Sequence, residues 1–352
     1  MGGGRGTPVM ALPGGHMAIV IGRRELWSGY MKKFFSFALA LLTTSIVSAL
    51  AQSYPTRTIT IVIAFPPGGP NEGVVRFLAE KLTPSLGQAV IIENRPGGAG
   101  GTVGTRSVAN AAPDGHTLLL SPPGPLVVAP LIYKNVGYDP AKAFTPITAV
   151  FSIPQMLVVN PAVPVKSVQE LIAYAKTNPG KISFPSPGYG TQPHLLGEMF
   201  KLMAGIDIIH IPYKGPAAAI TDLLAGQVQM YFENIGLLLP HIEAGKLRAL
   251  AVADEARSLQ LPNVPTTVES GWPKLKATYW SAMLAPAGTP TSIVNRLNTE
   301  INAIMRTKEM EAMLAKLSAK PEVGSPKDLS TFIAAETQKW AAVVNAANIK
   351  VD

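Results

Sequence analysis

The sequence predicts an α/β protein of two domains, each a mostly parallel sheet flanked by helices. Three observations carry this. Short apolar runs alternate along the chain with longer amphipathic stretches, the pattern of strand–helix–strand units rather than of hairpins. Several apolar runs stop at Gly- and Pro-rich turns that lead straight into a helical pattern. The alternation also occurs as two successive sets, with apolar strands running on near 150 and 275 without an obvious linker. A chain that crosses twice in this way makes the first domain discontinuous: 54–152 plus 275–352 around 153–274.

The elements follow in order. TITIVIAF (58–65) reads as a buried strand, and 70–84 as a helix with Val74, Val75, Leu78 and Leu82 on one face. QAVIIEN (88–94) is the next strand; a glycine-rich loop and a helix to about Ala111 lead to the strand HTLLLS (116–121). The second set opens with QMLVVN (155–160) and a helix over 167–177 carrying Val168, Leu171, Ile172 and Ala175. KISFPS (181–186), a helix over 193–204, DIIHIPY (207–213), a helix over 216–225, VQMYFEN (228–234), a helix over 237–244 and LRALAVA (247–253) complete it. YWSAMLAP (279–286) is a last strand, and two or three helices fill 290–347.

Composition narrows the function classes. The 352 residues are 47% hydrophobic and 15% charged, a globular balance, and contain no cysteine, so disulfides, zinc thiolates and a cysteine nucleophile are excluded. MKKFFSFALALLTTSIVSALAQ (31–52) has two lysines, an apolar stretch and an A-x-A site at Ala49–Ala51. It reads as a signal peptide cut before Gln52, too short in its apolar part to span a bilayer. Residues 1–30 read as a mis-called start upstream of Met31. The mature part keeps 25 basic and 21 acidic residues without a basic run, so nucleic acid is not an expected partner. The mature part is expected to be soluble outside the cytoplasm.

The turns concentrate the functional signal. FPPGGPNE (65–72), SPPGP (121–125) and YKGP (213–216) each set Gly before Pro at a helix start; GTQPH (190–194) sets Thr191 or Gln192 before Pro193, and FENIG (232–236) offers Asn234 as a cap. In an open α/β sheet the strand C-termini share one edge, where the free N–H groups of helix first turns favour an anion. The turns are thus expected to hold a small carboxylate-like ligand. Tyr189, Tyr213, His194 and Lys214 are expected to line this cleft, and Glu233, at a strand end, could select a donor group on the ligand.

Catalytic signatures are absent from the sequence. The five histidines form no H-E-x-x-H pair, and neither G-x-S-x-G nor a P-loop occurs. GGAGGTVG (97–104) is glycine-rich after a strand but lacks the acid about 20 residues on that a dinucleotide ribose needs. No metal, cofactor or catalytic residue is expected.

YPTRTITIVIAFPPGGPNEGVVRFLAEKL, VIIENRPGGAGGTVG, APDGHTLLL, YDPAKAFTPI, LIAYAKTNPGKISF, HLLGEMFKLMAGIDIIHIPYKGPAAAITDLLAGQV and LPHIEAGKLRALAV, in this order, resemble the Bug-type extracytoplasmic solute receptors of tripartite tricarboxylate transporters, over Tyr54 to Asp352. The resemblance implies a type II-like periplasmic binding protein whose two α/β domains close over a small carboxylate in the cleft between them and deliver it to a membrane permease. It implies ligand contacts at Pro67, Gly68, Gly69 and Glu72; at Ser121 and Pro123; at Ser186, Gly188, Tyr189, Gly190, Thr191 and His194; at Tyr213, Lys214 and Gly215; and at Glu233 and Asn234. The chain departs from the family after PPGG, where Pro70, Asn71 and Glu72 replace a small residue and Asp. NRPGGAGG carries one glycine more than common members, SPPGP replaces a more polar stretch, and Pro187 and Tyr189 enter the 186–194 loop. These changes suggest a less polar ligand than a simple dicarboxylate, such as an aromatic acid. A sensor that presents its closed form to a signalling receptor is an alternative, and a secreted enzyme a third reading.

Overall fold

In the computed structural model, residues 54–67 and 70–351 are described. The expected signal peptide at 31–51, the extension 1–30 and the site residues Gly68 and Gly69 lie outside them.

Strand β1 (Ile59–Ile63) is β-branched throughout, and all but Thr60 are buried, as a strand covered on both faces requires. It pairs in parallel with β2 (Val90–Asn94) on one side and β3 (Thr117–Ser121) on the other. Between β1 and β2 runs helix α1 (Pro70–Leu86), whose Val74, Val75, Leu78 and Leu82 are buried as the periodicity predicts. Helix α2 (Thr102–Ala109) follows the glycine-rich loop. After β3 the chain makes a π-helical turn over Gly124–Val128, then the short helices α3 (Ala129–Ile132) and α4 (Pro140–Ala143).

Strand β4 (Phe144–Val159) is the longest element of the sheet. Phe144 to Pro154 pair antiparallel with β9 (Thr278–Pro286), which pairs antiparallel with β3 in turn. From Gln155 onward β4 pairs instead with β7 (Met230–Asn234) and β8 (Arg248–Val252). The short β10 (Lys320–Pro321) edges the first half of β4. The sheet is therefore mixed rather than parallel throughout, because β9 re-enters the first set from the opposite direction. A separate parallel pair joins β5 (Ile182–Ser186) to β6 (Ile208–Pro212).

Helices close the layers. Helix α5 (Val168–Thr177) is capped by the Ser167 hydroxyl, which accepts from Glu170 N–H, and it buries Val168, Leu171, Ile172 and Ala175. Helix α6 (Gln192–Ala204) buries Leu195, Leu196 and Phe200 and ends at Gly205 in the left-handed region, φ 59°. Helices α7 (Pro216–Leu224) and α8 (Ile235–Glu243) flank β7 in sequence. Helices α9 (Thr291–Met305), α10 (Lys308–Lys316) and α11 (Pro326–Ala346) follow β9. Ser325 and Asp328 form a reciprocal capping box at the start of α11. Farther along α11, Glu336 accepts from the indoles of Trp340 (2.9 Å) and Trp280 (3.3 Å), tying this last helix to β9. No helix among the described residues is long and apolar enough to cross a membrane.

The glycine-rich loop has a packing explanation. A Cβ on Gly104 would sit 2.8 Å from Ala64 Cα and fall on Arg95 O, so α2 lies against the end of β1 with no room for a methyl group. Overpacking against backbone costs about 1–3 kcal/mol, more than the ~1 kcal/mol that alanine gains over glycine in a helix. Gly104→Ala should therefore lower the urea midpoint of unfolding, with the slope unchanged.

Candidate functional site

The C-terminal ends of β1, β3, β5, β6 and β7 each hand over to a helical segment: α1, the Gly124 turn, α6, α7 and α8 respectively. Long-range contacts draw these junctions together. Tyr213 N–H donates to Ser186 O at 2.8 Å, joining the ends of β5 and β6. A Cβ on Gly190 would fall on Ile132 Cδ1 and lie 3.2 Å from Val128 Cγ1, so the 186–191 loop rests on the helical segment that follows β3. Gln155 Nε2 donates to Asn234 Oδ1 at 2.6 Å, linking the middle of β4 to the end of β7. Gln192 Nε2 donates to Thr278 O, linking the first turn of α6 to the start of β9. Beside it, Tyr279 OH donates to Asn71 Oδ1 at 3.2 Å, which brings in the first turn of α1.

Three of these helix starts leave their first-turn amides without a capping side chain. The caps Thr191, Gly215 and Asn234 make no side-chain bond to α6, α7 or α8. By contrast Ser167, Thr307 and Ser325 cap α5, α10 and α11. Asn234 holds the expected cap position, but its Oδ1 is taken by Gln155. Thr191 Oγ1 turns back to donate to Gly188 O at 2.7 Å. At SPPGP the helical turn begins at Gly124 with Pro123 as the preceding cap, one residue earlier than the Gly–Pro grammar predicts.

The other expected residues are placed as follows. Pro67 is exposed, whereas Ser121, Pro123 and Ser186 are buried. Glu72 pairs with Arg76 at 2.6 Å on its own helix. Gly188 and Gly215 adopt φ 140° and 123°, conformations that favour glycine. Lys214 is exposed, and Tyr213 OH donates to Asp222 at 2.8 Å. Burial, reinforced by the Asp222 carboxylate, pushes the Tyr213 phenol up to about 12. Glu233 is buried and accepts from Tyr231 OH (2.6 Å) and Asn234 N–H (2.8 Å). Burial raises its carboxyl above the ordinary range, against the opposing pull of these two donors.

An aromatic cluster backs the 186–194 loop. The imidazoles of His194 and His210 stack at 4.0 Å, and the half-exposed Tyr189 ring meets both edge-on at 5.4 and 5.3 Å. Gly190 N–H donates to His194 Nδ1 at 3.1 Å, which fixes the tautomer, and His210 Nε2 meets Ser186 Oγ at 2.6 Å. Burial lowers His194 to about 3, with His210 as a second cause, and burial lowers His210 to about 4. Both rings are neutral at pH 7, so an anion here meets dipoles rather than imidazolium charge. Among the described residues no group of three or more His, Cys, Asp or Glu could hold a metal.

Sequence reasoning passed over Gln155 and Tyr279 as site residues. A buried glutamine at the head of the apolar run QMLVVN was the available signal for the first.

Comparison with known proteins adds independent findings. Residues 74–349 match the family described as "Tripartite tricarboxylate transporter family receptor". Protein BugT of Bordetella pertussis is 41% identical over 302 residues, 86% of this chain and 92% of the relative. Among solved structures, an R. palustris protein with adipate is 36% identical at a TM-score of 0.74, covering 84% of this chain and 99% of that one. The periplasmic binding protein BugD is 36% identical at a TM-score of 0.70, with 84% and 99% covered. MatC from Rhodopseudomonas palustris with bound malate is 30% identical at a TM-score of 0.70, with 83% and 100% covered.

The buried imidazole pair sets an acid response. Both pKa values lie below the ordinary 6.5, so on acidification the unfolded chain takes up protons first. The stability these groups support is complete above about pH 6.5 and is lost as pH falls through about 4 and 3. Melting temperature should drop between pH 6.5 and 4, and drop less in His194→Asn, whose Oδ1 stands where Nδ1 did and can still accept from Gly190. Identical slopes for the two proteins would contradict this account.

Proposed function

Because the chain belongs to the tripartite tricarboxylate transporter receptor family, of the Bug type, we propose that it is a periplasmic receptor that binds a small organic carboxylate and delivers it to a membrane permease. The observation that carries the reading is the set of helix starts α6, α7 and α8, whose first turns are free of capping side chains and which follow strand ends tied by the Tyr213–Ser186 and Gln155–Asn234 bonds. Such amides suit a carboxylate, and the helix dipoles add favourable potential. Adipate and malate in two relatives belong to the same chemical class. A dicarboxylate, a tricarboxylate or an aromatic acid would fit; the half-exposed Tyr189 ring offers the last a stacking surface.

In this reading the lobes are 54–152 plus 275–352 and 153–274, and the exchange of β4 partners after Pro154 supports a boundary there. The receptor works as a monomer, and closure of the lobes presents the loaded form to the permease. The turns from Pro67 to Glu72, Ser121 to Gly124, Ser186 to His194, Tyr213 to Gly215 and Glu233 to Asn234 supply the contacts.

A thermal-shift screen of residues 52–352 against aliphatic and aromatic acids tests this directly. Ligand at 100 times Kd stabilises by about 2.7 kcal/mol, which at this size raises the melting temperature by about 5 °C. No shift with any carboxylate, in protein shown by mass spectrometry to carry no ligand, would refute the reading. Gly215 provides a second test. A Cβ there meets nothing within 4 Å, so Gly215→Trp should fill the approach path and weaken binding by about tenfold or more. The φ of 123° adds strain of about 1–3 kcal/mol, within reach of a folded domain. Undiminished affinity in this variant would remove the 213–215 turn from the site.

A further inference from the structure

Two buried amides at this site are half satisfied, and in the same sense. Gln192 is 8% exposed and Gln155 1%. Each spends its NH2 group inside the protein, on Thr278 O and on Asn234 Oδ1 respectively. Each leaves its Oε1 buried without a partner. The orientation at Gln192 is set by chemistry, since only the NH2 end of the amide can face the Thr278 carbonyl.

Buried amides elsewhere do not behave this way. Asn160 Nδ2 donates to Leu223 O at 2.8 Å while its Oδ1 accepts from Ala162 N–H at 2.9 Å. Asn302 Nδ2 donates to Gly324 O at 2.9 Å while its Oδ1 accepts from Thr148 at 2.8 Å. A buried carbonyl oxygen with no donor is costly, and here two occur, one on strand β4 and one on the first turn of α6, which is bonded to the neighbouring strand β9. Gln155 N–H donates to Ala277 O, and Thr278, the next residue, receives Gln192. Glu233 stands beside Asn234, the partner of Gln155, with its Oε1 accepting from Asn234 N–H at 2.8 Å.

This patch is rich in acceptors, whereas the helix starts around it are rich in donors. A plain dicarboxylate answers only the second. We propose that Gln192 and Gln155 accept hydrogen bonds from a hydroxyl or ammonium group of the ligand, so that the receptor selects carboxylates that also carry such a donor. The proposal rests on the receptor reading and specifies its substrate class: hydroxy or amino acids, aliphatic or aromatic.

Matched ligands test it by isothermal titration calorimetry. Succinate, malate and aspartate share one carbon chain and differ at C2 in hydrogen, hydroxyl and ammonium; benzoate and 4-hydroxybenzoate form an aromatic pair. In the unmodified protein a donor-bearing member of one series should bind about tenfold or more tighter than its parent. In Gln192→Met and Gln155→Met, each shown folded by its denaturation midpoint, that ratio should collapse towards one. Parents that bind as tightly as their donor-bearing partners would overturn the proposal, as would variants that weaken both members equally and keep the ratio. Binding of none of the five acids would overturn the proposal and, with the broader screen silent as well, the carboxylate-receptor reading beneath it.

Discussion

Strand β4 cannot keep the same neighbours along its length, and most of the architecture follows from that. A strand has two hydrogen-bonding edges. Over its first part β4 gives one edge to β9 and, at Phe151 and Ser152, the other to β10. Beyond Pro154 it gives both edges to β7 and β8. At the exchange point Gln155 N–H still reaches Ala277 O, and Gln155 O accepts from Ala253 N–H. Two sets of strands are thus fastened through one continuous backbone, and the junction places Gln155, Thr278, Tyr279 and Asn234 beside one another.

The same junction explains the electrostatic character of the site. Strand ends that hand directly to helix starts present backbone N–H groups, and the rings that back the 186–194 loop add no charge of their own. The two imidazoles are neutral because they are buried, and Glu233 is held by a phenol and a backbone amide rather than by a cation. Recognition in such a setting depends on fixed dipoles and on the matching of donors with acceptors, both of which discriminate by geometry more than net charge does.

Much of this was legible in the sequence because it is local. Helix α5 announces itself by Ser167, Glu170 and a four-residue apolar stripe, and the Gly–Pro turns mark helix starts within a few residues of the chain. The first half of β4 was not legible. Pro146 and Pro154 interrupt it, and a strand interrupted by proline reads as an edge or a loop. The structure accommodates the irregular stretch through register shifts at Pro146/Thr148 and Ala149/Phe151. The roles of Gln192 and Tyr279 were hidden for another reason: their partners lie 86 and 208 residues away. Local grammar located the turns, and long-range pairing decides which side chains stand between them.

The two glycines at 190 and 215 have an evolutionary consequence. At Gly190 any side chain would collide with Ile132, and at Gly215 the backbone itself is set at φ 123°. A side chain at either position therefore costs backbone strain, and at Gly190 it also displaces Ile132. In the proposed site, diversification would then fall on side chains that the frame merely carries, such as Asn71, Gln155, Tyr189 and Gln192. On that proposal a lineage would change its cargo by a handful of substitutions while every loop keeps its course, and likeness of cargo would be read from these few residues rather than from overall identity.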